Sequence, residues 1–167
     1  MFGRSFIPAV SLVLAIVAAP SSHAQSSVAF EGGVRSVGDG SESISLFEAG
    51  VRFGSLRPKQ VNSDIRISTF PQGLTGGVIV LSTDFDAAVV LPLGKGAVAT
   101  PRAGLSLVGA ASGEGAGGAP GLNVGLGVIA GLTSPVGVRF DYSYSTYFAI
   151  AEGIRASSFS IGIVWVH

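Results

Sequence analysis

The sequence contains no cysteine and only two histidines. Without cysteine there is no disulfide framework and no thiolate metal site. Charge is also scarce: 12% of the 167 residues, with 10 Lys+Arg balancing 10 Asp+Glu. The missing basic excess removes the electrostatic basis for nucleic-acid binding. The scarcity of charge excludes a disordered chain, which is polar and charge-rich. Beyond residue 24 no apolar run reaches the length of about 18 residues that a spanning helix needs. What the chain does have is 25 glycines and 47% hydrophobic residues, with a mean hydropathy of +0.58. That composition fits one domain, either unusually apolar for a soluble protein or built for a membrane.

Residues 1–24 read as a secretory signal peptide, leaving residues 25–167 as the folded domain. Arg4 supplies the positive start, and residues 6–19 form an apolar run broken only by Pro8 and Ser11. Ser22-His23-Ala24 places small residues at both positions a signal peptidase reads, with the cut before Gln25. The run is too short to span a bilayer, which takes about 20 residues. With no cysteine at the cut, a lipoprotein anchor is excluded.

The remaining chain alternates apolar and polar residues with period two, the signature of strands with two unlike faces. Eight strands are expected, over residues 27–36, 44–55, 63–70, 77–91, 98–111, 122–132, 136–147 and 156–167. Turn chemistry separates them: Gly38-Asp39-Gly40, Arg57-Pro58, Pro71-Gln72-Gly73, residues 92–96, a glycine-rich loop over 113–121, and Thr133-Ser134-Pro135. The charges sort by face. Eleven share the polar face: Glu31, Arg35, Glu48, Arg52, Asp64, Arg66, Asp84, Asp86, Arg102, Arg139 and Asp141. The apolar face of every strand is free of charge. In a soluble barrel the charges would point out; in a membrane barrel they point into the lumen. Glycine and serine between the charges leave room for long side chains, and eight strands enclose a lumen that side chains can fill. Pairing Glu31 with Arg52 and Arg35 with Glu48 across the first hairpin, around Gly33 opposite Gly50, gives two inward pairs of opposite sign. A fourth–fifth hairpin centred on Gly94 likewise sets Asp86 opposite Arg102.

With these features the chain resembles the small eight-stranded outer-membrane barrels of the OmpA/OmpX-like type. The expected fold is all-β, an eight-stranded antiparallel up-and-down transmembrane barrel with a polar, side-chain-filled lumen. The resemblance rests on the signal peptide, the inverted alternation, and the last strand Phe159-Ser160-Ile161-Gly162-Ile163-Val164-Trp165-Val166-His167. In the family such a strand is the signal read by the outer-membrane assembly machinery, and it usually ends in Phe or Trp. Here Phe159, Ile161, Ile163, Trp165 and His167 share one face, and the last residue is His. The resemblance implies periplasmic termini and outer loops after the first, third, fifth and seventh strands, residues 111–121 being the longest. It also implies outer-membrane lipid and the assembly machinery as partners. On that map Phe47, Phe70, Tyr144 and Tyr147 lie toward the exterior and Phe30, Phe53 and Trp165 toward the periplasm, as interfacial girdles require. Pro101 is expected near the periplasmic start of the fifth strand, since a closed barrel has no edge to host a proline.

Catalytic signatures are weak. His23 leaves with the signal, and His167 sits at the periplasmic end, so a Ser–His hydrolase at the outer rim lacks its base. Asp84 and Asp86 are expected in ion pairs with Arg102 and Arg66 rather than in an acid/base or metal site. The GxGxxG string at residues 113–118 is followed by a strand, not the helix a nucleotide site needs. Tyr142, Tyr144 and Tyr147 read as rim aromatics rather than a ligand shelf. The expected role is structural or interactive, with no catalytic, cofactor or metal residues and a lumen closed by charge. The alternatives are a narrow pore, a secreted soluble barrel binding an apolar ligand, and a lipid-modifying enzyme.

Overall fold

The computed structural model describes residues 25–39, 42–75, 77–148 and 153–167; the expected signal peptide, residues 1–24, lies outside them. Eight strands run up and down: β1 Ser26–Gly38, β2 Ser43–Ser55, β3 Val61–Thr69, β4 Ile79–Val89, β5 Ala97–Ser112, β6 Gly115–Ala130, β7 Val136–Tyr147 and β8 Arg155–Val166. Leu91–Gly94 continues β4 past a break at Val90. Each strand pairs antiparallel with the next, and β8 pairs with β1 from Ser27↔Val166 to Gly38↔Arg155, closing the barrel. Closure leaves no edge strand with unpaired backbone groups, the condition for a sheet to sit in lipid. A five-residue helix, α1 Pro71–Thr75, lies between β3 and β4.

One end of the barrel holds both chain ends, where Ser26 and His167 exchange backbone hydrogen bonds of 3.1 and 2.9 Å. The connections after β2, β4 and β6 share that end. At Gly96 φ is +80°, a left-handed conformation that glycine adopts without strain. Its carbonyl accepts from Leu132 N at 2.9 Å, joining two of these turns. The opposite, loop-bearing end carries the other four connections.

Two features differ from the sequence expectation, and the position of Pro101 agrees with it. Residues 113–121 do not form a long loop. β5 and β6 extend to meet at a two-residue turn, Gly113-Glu114, with Ser112 paired to Gly115. Glycines that read as a flexible loop are accommodated in the ladder, because a strand gains its backbone hydrogen bonds whatever its side chains. The hairpin registers are shifted by two residues. Glu31 faces Gly50, Glu48 faces Gly33, and Asp86 faces Gly104, while Arg52, Arg35 and Arg102 face Ala29, Leu46 and Ala88. These three acids therefore stand opposite a glycine rather than opposite the expected arginine. Pro101 lies near the start of β5, as expected, toward the end that carries the chain termini. The break in β4 at Val90 falls across from it, so the ladder is interrupted where proline has no N–H to donate.

The two barrel faces are inverted relative to a soluble protein. Outside, large apolar side chains stand open: Phe30, Phe47, Leu105, Leu122, Leu126, Phe159, Ile161 and Ile163 are each about half exposed or more. Inside, all eleven charged residues of the polar face are at most 6% exposed. The lumen is layered rather than uniformly polar. Beneath the charges, toward the chain termini, Ala29, Leu56, Val90, Ile129 and Val164 form an apolar plug. Toward the loops, Ala119, Tyr147 and Ala156 form a second apolar layer.

Candidate functional site: a buried charge network

Alternation along each strand sends every second side chain inward, and the eleven charges meet in the middle of the barrel as one connected network. Arg52 is its hub. It donates from Nε to Glu31 at 2.7 Å, from Nη1 to Asp64, and from Nη2 to Asp141 at 3.2 Å. Arg139 joins Asp141 at 2.8 Å, Asp64 at 3.4 Å and Glu31 at 3.5 Å. Arg66 bridges Glu31 at 3.0 Å and Glu48 at 2.7 Å. Arg35 holds Glu48 at 3.0 Å and lies 3.9 Å from Asp84. Arg102 holds Asp86 at 3.1 Å and also meets Asp141.

The two-residue shift explains how these contacts form. An arginine side chain is long enough to reach the diagonal neighbour across a strand pair, a separation of roughly 7–8 Å between backbones. The glycines opposite Asp86 and Asp141 keep that path open. A Cβ placed on Gly104 would lie 2.0 Å from the Phe85 carbonyl oxygen and 2.6 Å from Asp86 Oδ1. One on Gly127 would lie 2.6 Å from Asp141 Oδ2 and 2.8 Å from Arg139 Nη2. Asp86 and Arg102 thus pair diagonally, while Arg66 turns to Glu31 and Glu48 and makes no ion pair with Asp84 or Asp86.

Neutral side chains that the charge pattern did not single out complete the network. Ser106 donates to Asp84 at 2.6 Å, Asn123 to both Asp86 oxygens at 3.1 and 2.9 Å, and Ser160 to Glu31 at 3.2 Å. Ser158 donates to Glu48, and Ser82 accepts from Arg35 Nη1 at 2.9 Å. Their parity matches that of the charges, so the alternation already marked them. Burying this many charges is tolerable only because each is paired with a charge of opposite sign.

The aromatics divide. Phe47, at 65% exposure, and Tyr144 face outward, Phe53 is half-buried, and Trp165 is half-buried with an edge-to-face contact to Phe30 at 5.7 Å. Tyr147 is not an outer girdle residue. It is 4% exposed and turned inward, its hydroxyl accepting from Arg35 Nη1 at 3.3 Å and lying 3.2 Å from Ser106 Oγ. Tyr147 follows the odd-numbered parity of Arg139, Asp141, Ser143 and Ser145, which are buried, whereas Tyr142 and Tyr144 are on the exposed face. Phe70 is likewise inward, 3% exposed, with the Arg35 guanidinium 5.5 Å from its ring centre. Of the last-strand residues, Phe159, Ile161 and Ile163 project outward and His167 is exposed at the end of the chain.

No protein-family model matches the sequence, and no curated protein matches it. Solved structures do match the fold. Neisserial surface protein A (NspA) is 16% identical with a TM-score of 0.67, over 84% of this chain and 96% of that one. Ail, the attachment invasion locus protein of Yersinia pestis, solved with the heparin analogue sucrose octasulfate, is 9% identical at a TM-score of 0.64, over 87% and 100%. A major outer membrane protein of Thermus thermophilus is 10% identical at 0.64, over the same shares. The chain has the fold of a small, eight-stranded outer-membrane β-barrel.

Proposed function

We propose that the protein is an integral outer-membrane barrel with a structural or surface-interaction role and a lumen closed to solute flow. The observation that carries this reading is the inversion of faces: an exposed apolar belt outside, and eleven buried charges joined into one network inside. In water such a belt would be an aggregation surface; in a bilayer it replaces lost lipid contacts. The same observation disfavours a secreted soluble barrel. The chain termini face the periplasm in this reading, the last strand serves as the assembly signal, and no catalytic step is assigned to any residue.

A narrow conduit is the second reading. Against it, the charge layer lies between two apolar layers, and its members are spent on one another. Reconstitution into planar bilayers tests the choice: the closed barrel gives no steady unit currents, and reproducible unit conductance would favour the conduit. The sulfated ligand of Ail is not carried over. Among the described residues the loop end bears Asp39, Glu42 and Glu114 against Arg155, an acidic surface ill-suited to a polyanion.

A further inference from the structure

The charges outside the lumen are segregated by end. Among the described residues the loop end carries Asp39, Glu42, Glu114 and Arg155. The end that holds the chain termini carries Arg57, Lys59 and Lys95, and no acidic side chain. Arg57 and Lys59 lie in the β2–β3 connection and Lys95 in the turn after β4. The first segment is tied to the strand that leads into the second, since Lys59 N donates to Val90 O at 3.2 Å. The backbone of the β2–β3 connection is fixed. Asn62, 3% exposed, accepts from Arg57 N at 2.9 Å and donates to the carbonyls of Arg57 and Gln60 at 2.9 and 2.8 Å. Lys59 has a φ of +60°, the one non-glycine residue in the left-handed region among those described. Glycine would sit there without strain, so the lysine side chain is kept at a cost.

Large apolar side chains flank these cations. Val61, Leu91 and Leu93 are 75%, 44% and 60% exposed, so the outer belt continues to within two residues of Lys59 and of Lys95. In a bilayer that puts the cations where hydrocarbon gives way to headgroups. We propose that Arg57, Lys59 and Lys95 hold the phosphate of an anionic phospholipid in the periplasmic leaflet. Lysine fits such a boundary, because its stem packs on apolar surface while its ammonium reaches the phosphate. A zwitterionic headgroup fits less well, since among the described residues this end offers no acidic side chain to its ammonium. This site rests on the outer-membrane reading above, with the chain termini in the periplasm, and adds a lipid class to it.

Lys59 and Lys95 are the only lysines of the chain. Isotope-labelled reductive dimethylation, which keeps their charge, therefore gives each an NMR signal at the site. The test places the full barrel in phosphatidylcholine nanodiscs and adds phosphatidylglycerol stepwise. The expected result is that both lysine signals shift and saturate while phosphatidylglycerol is still a minor lipid. Arg57→Gln keeps both probes and weakens the response about fivefold, the worth of one cation at an anionic surface. Glu42→Gln, at the loop end, leaves the response unchanged. Signals that stay still, or that drift with the phosphatidylglycerol fraction without saturating, overturn the proposal. So does an Arg57→Gln barrel that matches wild type. Flotation with phosphatidylcholine vesicles reads insertion separately. A barrel that floats yet shows no saturable shift overturns this site alone, and one that stays in the soluble fraction overturns the membrane reading with it.

Discussion

Arg52 shows what a single side chain does here. Its three nitrogens serve three acids from three strands, Glu31, Asp64 and Asp141. Arg52→Leu leaves those acids with a charge excess they cannot share with water. Breaking a buried pair from one side costs about 3–5 kcal/mol, and that loss is the expected outcome of urea unfolding in lipid vesicles. A wild-type midpoint would mean that the hub is not structural. Glycine tests the same geometry by addition. Gly104→Ala drives a methyl into the Phe85 carbonyl and the Asp86 carboxylate, whereas Gly32→Ala, on the outer face, meets nothing within 4 Å. The first variant is expected to be destabilised in the same unfolding assay and the second to match or exceed wild type, since alanine restricts the unfolded chain more than glycine.

At the scale of the strand, alternation carried most of the information. Parity alone placed all eleven charges on one face, and in the structure each of them is buried. Parity also marked Tyr147 and Phe70 as inward, but reading them as girdle aromatics let residue type override position. Register was not legible, because a two-residue slip preserves every face and exchanges only the partners; side-chain reach and glycine placement decide it. The β5–β6 hairpin was missed for a related reason: glycine, alanine and proline over residues 115–121 carry little strand propensity, and the ladder with β5 supplies what they lack. The outer face of β6 yields a prediction of its own. Leu126, 49% exposed there, lies on the proposed lipid surface. Leu126→Arg is expected to cost about 2–4 kcal/mol in vesicles if it lies near the bilayer midplane. Arginine tolerated there without loss would place that face in water.

At the scale of the molecule, the barrel is a stack of layers: apolar plug, charge network, apolar mouth. Sequence arithmetic could count the charges but not show them joined, since Arg52 meets Asp141 across 89 residues and Ser158 meets Glu48 across 110. Low overall charge is the condition for an outer belt without ions, and near-balance is the condition for closing the lumen with what remains. The absence of cysteine, which excluded thiolate metal sites and disulfide scaffolds, makes the decisive measurement simple, because any cysteine introduced is unique. Single cysteines at residues 122, 124 and 126 of β6, spin-labelled in lipid vesicles, report whether each site meets lipid or water. With the belt in lipid, as this account requires, oxygen accessibility is high and aqueous-reagent accessibility low at all three. High aqueous accessibility at 122, 124 and 126 would contradict it, because the belt would then face water.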